Sequence, residues 1–378
     1  MNTILWLFLI LLFSCQNDDG VRESIDESEI LYVMPEEGEE HEGTWLQWPH
    51  HYQYGIPFRN GLDNTWVAMT RALVSSENVH IIAYNQAEQE RITSLLQAQN
   101  IPLTRIDFHL YETDDTWIRD NGPIYVRDRD GKLVIEDWGF NGWGNKTDDL
   151  TDAPIQFDRC NKIPSEIARD QGRTLVDLNA EMINEGGSVE IDGNGTLMAC
   201  KSSILNENRN PGMTQQQAEV IFKKYLGVTN FIWLDGQAGL EITDQHIDGF
   251  ARFGNARTIV TMDRNDLLAF DVLSSDIDKL FAARDKEGQA YTFLKVPLTQ
   301  HTVKTTDGTD LGYQGSYINY YIANTKILVP NYNDPNDAAA NALIQTLYPN
   351  RTVVGIDVRN LYQNGGMIHC VTQQQPLE

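Results

Sequence analysis

The chain has 378 residues, 41% hydrophobic and 22% charged, the balance of a folded globular protein with room for two domains or one large repetitive one. Its formal charge of -25 argues against a nucleic-acid partner, whose phosphates it would repel. The same acidity suits a cationic small molecule, which such a field concentrates, and equally suits a surface that is merely soluble.

The first residues, MNTILWLFLILLFSC, hold an apolar run from Ile4 to Phe13. It is too short to span a bilayer and has the length of a signal-peptide core, although only the α-amino group supplies positive charge before it. LFSC at 12–15 resembles a bacterial lipoprotein signal, which predicts a lipid on Cys15. Residues 1–15 are thus expected to be a leader, 16–32 an acidic unstructured tether, and 33–378 the working domain. Such a chain is exported to a bacterial cell envelope and touches membrane only through its lipid anchor. With Cys15 so used, three cysteines remain, so at most one pair bonds and one thiol stays free.

Past the tether one pattern recurs. TWLQWPH reads as a strand, NTWVAMTRALVSS as a helix and VHIIAYN as a strand. GPIYVRDRDGKLVIEDW reads as a hairpin turning at Asp-Gly. GGSVEIDGNGTLMACKS is a second hairpin, followed by the helix TQQQAEVIFKKYLG and the strand NFIWLD. DGFARFGNARTIVTMD is a third, followed by DVLSSDIDKLFAARD and AYTFLKVP. GSYINYYIANTKILVPNY is a fourth, followed by NDAAANALIQTLYP and RTVVGIDV. The tail MIHCVTQ supplies the arm missing opposite TWLQWPH. The expected fold is therefore α/β: a five-bladed, pseudo-symmetric propeller of ββαβ units, because one such unit cannot bury its apolar face alone.

Polar residues recur at one place in these units. Asp120 in TWIRDNGP precedes the first hairpin and Glu185 in NEGGS the second, 65 residues on. His246, a further 61 residues on, and Asp248 precede the third, and Cys370 opens the tail strand. In a radial array these positions converge at one end of the axis. His246 and Asp248 face the same side if their segment is extended. Gly365 and Gly366 leave room for a substrate to reach the sulfur.

Three chemistries compete for this set. Acyl transfer by a Cys-His pair builds an oxyanion, which several carboxylates would destabilise. A facial-triad metal site could use His246 and Asp248 with His301 or His369, but leaves Asp120, Glu185 and Cys370 without a role. Attack of a thiolate on a guanidinium carbon uses every member. Two carboxylates grip the planar cation, the cation favours the thiolate, and the His protonates departing ammonia and then activates water.

The blocks MPEEGEEHEGTWLQWPH, DDTWIRDNGP, NEGGSVEIDGNGTLMACKSSILNENRNP, DQHIDGF and NGGMIHCVTQQQP resemble, in order, those of agmatine deiminases. These belong to the guanidine-modifying superfamily, with peptidylarginine deiminases of the Porphyromonas type. The resemblance runs from about Met34 to Pro376 and implies a five-bladed α/β propeller with no metal or organic cofactor. It implies Cys370 as the nucleophile of a covalent thiouronium intermediate and His246 as general acid and base. Asp120 and Asp248 would hold the guanidinium, Glu185 would orient His246, and Trp117 would cover the alkyl chain of the substrate. The activity implied is hydrolysis of agmatine to N-carbamoylputrescine and ammonia. Two runs depart from the pattern: ETDDTWIRD and ITDQHID stand where agmatine-specific chains are expected to carry TND and TNGH. With the expected export, they make an exported enzyme acting on arginine in peptides the alternative, and an inactive, cation-binding surface propeller a remote one.

Some residues have plainer readings. Asp120 could form a turn salt bridge with Arg119, and Glu185 could cap a turn. His369 faces away from Cys370 in an extended segment and is expected to be structural. Asp128, Asp130 and NDPND are expected to close turns, since EF-hand spacing is missing.

Overall fold

The computed structural model describes residues 27–147 and 153–378. The expected leader, Cys15 and most of the tether lie outside the described residues.

Strand Ile124–Asp128 pairs antiparallel with Leu133–Gly139. Their turn passes through Gly131 at φ +80°, a conformation that a missing Cβ permits. Asp128 accepts from the N–H groups of Asp130 and Lys132, so this acidic stretch closes the hairpin. Helix Ile163–Gln171 then carries the chain to Leu175–Ile183, parallel to Leu133–Gly139.

The same order repeats. In the second unit Val189–Ile191 and Thr196–Cys200 form the hairpin, and Asn230–Leu234 adds in parallel. The helix between, Gln215–Leu226, opens with a capping box of Thr214 and Gln217 and stops where Gly227 turns left-handed. The third unit is Ala251–Asn255, Thr258–Thr261 and Thr292–Lys295. The fourth is Tyr321–Ile322, Lys326–Asn331 and Thr352–Asp357. The fifth joins the chain ends: Gln373–Pro376 pairs antiparallel with His41–Gln47, which pairs in parallel with Asn78–Ala83 and thence Ile106–Leu110. The tail therefore supplies the arm that the opening segment lacks.

Each unit's helix seals the seam with the preceding unit. Ile163 and Ile167 pack with Trp45 and Ile82 of the fifth unit. Ala218 and Phe222 pack with Val126 and Trp138 of the first. Asp276, in helix Ser274–Phe281, accepts from the N–H groups of Asp235 and Gly236 at the end of the second. Leu347, closing helix Asp337–Leu347, lies over Gly254 of the third. Thr65, in helix His51–Leu73, donates to the carbonyl of Asp357 in the fourth.

Two features differ from the sequence expectation. A hairpin of Thr302–Lys304 and Asp310–Gln314 lies between the third and fourth units. The end of the stretch expected as tether is bound: Tyr32–Val33 pairs with Arg127 and Asp128, Leu31 donates to the Lys224 carbonyl, and Glu29 pairs with Lys223. The edge of Ile124–Asp128 is open there, and these strand-forming side chains cover it. Among the described residues, no helix is long and apolar enough to cross a membrane. Cys160, Cys200 and Cys370 are all free thiols, the first two buried in separate apolar clusters.

Glu37, its side chain 9% exposed, links the units. Its Oε2 accepts from Arg119 at 3.3 Å, Arg252 at 3.0 Å and His369 at 2.8 Å, and its Oε1 from the Ile322 N–H at 2.8 Å. Arg252, 2% exposed, also grips Glu190 of the second unit and the Tyr320 carbonyl. Neutralising Glu37 leaves buried cations unbalanced, so Glu37→Gln is expected to lower unfolding free energy in urea by about 3–5 kcal/mol. A loss below about 1 kcal/mol would remove this carboxylate from its central role.

Candidate active site

Asp120 lies in the short helix Ile118–Asn121. It does not pair with Arg119, whose guanidinium turns to Glu37 and the His369 carbonyl. Its Oδ1 accepts from the Gly187 N–H at 3.1 Å and its Oδ2 from Trp143 Nε1 at 2.9 Å. Burial, joined by the charges of Asp248 and Glu185, pushes its pKa up to about 6 against the pull of His246.

Glu185 precedes the turn Gly186–Ser188 but does not cap it with its side chain. Its carboxylate accepts from Arg209 through Nε at 2.7 Å and Nη2 at 3.3 Å, and meets His246 Nε2 at 2.9 Å. Burial opposes its charge, yet Arg209 and His246 hold its pKa below the usual value. For His246, burial disfavours the imidazolium, but Asp120, Glu185 and Asp248 outweigh it and raise the pKa to about 9. With Nε2 on Glu185, Nδ1 faces Asp120 Oδ1 at 3.7 Å.

His246 and Asp248 are not in the extended segment expected. Asp248 lies in the tight turn Ile247–Gly249, which brings both side chains inward. Asp244 and Gln245 just before it hold φ values of 59° and 71°, a left-handed pair that non-glycine residues seldom adopt. Asp244 anchors them by accepting from Arg209 at 2.5 Å and from Lys146 at 2.8 Å.

Cys370 is in the turn His369–Val371, ahead of the tail strand rather than in it. The same turn corrects the expectation for His369. Instead of facing away, it bonds Asp248 Oδ2 through Nδ1 at 2.7 Å and Glu37 through Nε2 at 2.8 Å. Burial opposes the charge of Asp248, but His369 keeps its pKa below the ordinary value. Cys370 Sγ lies 4.0 Å from Asp248 Oδ2 and 3.5 Å from Asn319 Oδ1. Burial, then Asp248 and Asp120, push the thiol pKa well up, which favours the thiol over the thiolate.

The glycine at the reacting centre is Gly187. A Cβ there would sit 2.7 Å from His246 Nδ1, 2.8 Å from Asp120 Oδ1 and 3.1 Å from Asp248 Oδ2. Three functional groups thus surround a space that only glycine leaves open. Gly366, expected to clear the way to the sulfur, instead accommodates the Trp117 ring, while Gly365 lines the pocket. Trp117 also packs with Phe140 and Trp143.

A pocket of about 380 Å³ opens onto His246, Asp248 and Cys370, with Phe270, Tyr313 and Tyr362 among its walls. No Lys or Arg is among its described lining residues. His301 is placed elsewhere, its N–H bonded to Asp334 beside the extra hairpin.

The structure brings Cys370, His246 and Asp248 to the pocket and sets Asp120 and Glu185 against His246, outside the pocket's lining residues, and it adds residues that sequence reasoning missed. Asn319 Oδ1 accepts from the backbone N–H groups of His369 and Cys370, holding the nucleophile's turn. Arg209 fixes Glu185, and Glu37 fixes His369. The isolated Arg in NENRNP and the acid in MPEEGEE were available signals, since both lie in the motif blocks.

Iodoacetamide is expected to alkylate Cys370 slowly at neutral pH and faster as pH rises, while buried Cys160 and Cys200 stay protected. Asp248→Asn removes a charge that opposes the thiolate, so it should speed the reaction at neutral pH. Peptide mass mapping reads both effects, and an unchanged or slower rate in the variant would contradict the electrostatic account.

A sequence profile described as Porphyromonas-type peptidyl-arginine deiminase matches residues 33–376. The agmatine deiminase of Pseudomonas aeruginosa LESB58 is 32% identical over 365 residues, covering 91% of this chain and 95% of its own length. Among solved structures, Enterococcus faecalis agmatine deiminase is 25% identical with a TM-score of 0.77, covering 91% of this chain and 96% of its own. A C. jejuni agmatine deiminase with substrate bound is 26% identical with a TM-score of 0.76, covering 92% and 96%. The mixed α/β architecture is common to these structures. By the profile match and by its likeness to curated relatives, this chain belongs to the Porphyromonas-type peptidyl-arginine deiminase family, which includes the agmatine deiminases.

Proposed function

We propose that the protein hydrolyses the guanidinium group of agmatine to a ureido group, giving N-carbamoylputrescine and ammonia. One observation carries this reading: Asp248 and His246 line the pocket beside Cys370, with Asp120 against His246, and the pocket's described lining has no Lys or Arg. A guanidinium finds counter-charges there. The carboxylate of free arginine finds no cation to pair with, and agmatine has none to place.

Asp120 and Asp248 grip the cation by charge-assisted hydrogen bonds and hold its carbon beside Sγ. The bound charge reverses the field that kept the thiol protonated, and the proton leaves for solvent. Sγ bonds to the guanidinium carbon. His246 passes its Nδ1 proton to the departing nitrogen, the C–N bond breaks and ammonia leaves a thiouronium on Cys370. Water then attacks the same carbon and gives a proton to His246. The C–S bond breaks, the hydroxyl proton departs as the carbonyl forms, and the ureido product is released. Neither metal nor organic cofactor has a role in these steps. Phe270, Tyr313 and Tyr362 are suited to the alkyl chain, whereas Trp117, seated against Gly366, is not among the described lining residues.

The two departures from the agmatine pattern have internal partners. Asp114 accepts from Arg159 and its N–H, and Asp244 from Arg209 and Lys146. Neither acid is free to select a different substrate. The description of the matched family favours a second reading, deimination of arginine within peptides. We further propose that the five units close as blades of a propeller, a reading supported by the cyclic order of helix seams and by the pairing of the chain ends.

The purified chain should release ammonia and ureido product from agmatine, and little from free arginine or an arginine peptide. Turnover of the peptide alone would transfer the assignment to the second reading. Cys370→Ser should lower turnover by roughly 1,000-fold or more with the fold intact, whereas Cys160→Ser and Cys200→Ser should retain activity. The pH dependence of kcat/KM reports the free enzyme. It should rise with pH through the neutral range, as Asp120 ionises at about 6 and as the raised Cys370 thiol begins to lose its proton. It should level off above about 9 as His246 loses its proton. A profile flat across both values would contradict these roles.

A further inference from the structure

We propose that His80, Asp107 and His109 form a site for one first-row divalent cation of the zinc type, distinct from the catalytic pocket. His80 in strand Asn78–Ala83 and Asp107 in strand Ile106–Leu110 are register partners. His109, two residues beyond Asp107, projects to the same face. One ligand atom from each residue lies within 4.8 Å of the others.

The hydrogen bonds around the three residues make this more than a surface cluster. Asp107 Oδ1 meets His80 Nδ1 at 2.8 Å, and Asp107 Oδ2 meets His109 Nε2 at 2.8 Å. The far nitrogens are already engaged. His80 Nε2 donates to Glu42 Oε2 at 2.7 Å. Tyr111 donates its hydroxyl proton to Asp170 at 2.7 Å, so its oxygen is left to accept from His109 Nδ1 at 3.3 Å. Each ring therefore keeps a proton on its far nitrogen and turns the other nitrogen toward Asp107. An ionised carboxylate has no proton to give. Each of those contacts needs a proton on the ring, or one dication bridging both rings and the acid.

A carboxylate behind a metal-binding imidazole is the arrangement that orients such ligands. Two imidazoles and one carboxylate suit zinc and its neighbours, with water in the remaining position. Gly43 makes room for the buried ring, since a Cβ there would lie 2.5 Å from His80 Nε2. Trp45 contacts both imidazoles at ring centroid distances of 4.6 Å and steadies them. The Asp107 side chain is 52% exposed, which leaves an approach from solvent. A bound ion would pin the outer strand Ile106–Leu110 to its neighbour, a structural effect apart from catalysis.

The test uses the full, tag-free Cys370→Ser chain, so that the nucleophile cannot bind the metal. Calorimetric titration with Zn2+ should show one ion per chain with Kd below about 100 μM, and Tm should rise with the ion. Asp107→Asn combined with His109→Gln should abolish that binding, and Glu42→Gln should weaken it about 10–100-fold. Co2+ in place of Zn2+ should give a ligand-field absorption band that the double variant lacks, which reads the ligands independently of stability. Binding weaker than the stated limit, or equal binding in the double variant, overturns the proposal.

Discussion

The structure depends on a single carboxylate. Glu37 accepts from Arg119 near the first unit, Arg252 in the third, Ile322 in the fourth and His369 beside the tail, while Arg252 extends the contact to Glu190 in the second. Segments 82 to 332 residues away in sequence converge on one acid that opens the motif blocks. Charges removed from water persist only when paired, so these units can come together in few ways other than this one. The catalytic geometry follows directly. Glu37 holds His369, His369 holds Asp248, and Asp248 sits 4.0 Å from the sulfur of Cys370.

The site separates its acids by environment. The hydrogen bond from His369 holds the pKa of Asp248 below its ordinary value, whereas Asp120, without such an imidazole partner, is raised to about 6. Glu185 takes its counter-charge from Arg209 and passes its influence to His246. The remaining negative charge faces Cys370 and holds its thiol protonated. Such a centre is inert toward most electrophiles until a cation arrives. The acids that bind the substrate are then also the groups whose neutralisation activates the nucleophile.

The repeat was legible because hairpin signals such as Asp130-Gly131 and helix caps such as Thr214 and Gly227 act locally. The spacing of Asp120, Glu185 and His246 was legible because each unit places its functional residue just before its hairpin. What the sequence concealed depends on distant contacts. Nothing local marks Asn319 as more than a polar residue of its segment, and Glu37 and Arg209 are marked only by lying inside the motif blocks, which does not name their partners. His369 was misread because alternation holds only in extended chain, and His369–Val371 is a tight turn. The role expected of Gly366 passed to Gly187, whose neighbours His246, Asp120 and Asp248 come from three other places in the chain. Tyr32 read as the end of a tether because the strand it covers lies far along the chain.

The central claim is that Cys370 attacks a cation held by acids, and a covalent intermediate is its direct consequence. Intact-protein mass spectrometry of enzyme quenched in acid during agmatine turnover tests it. The account predicts a species heavier by one agmatine less one ammonia, mapped to the peptide of Cys370 and absent from Cys370→Ser. Sustained turnover by the Cys370→Ser chain, or the same adduct on another residue, would contradict it.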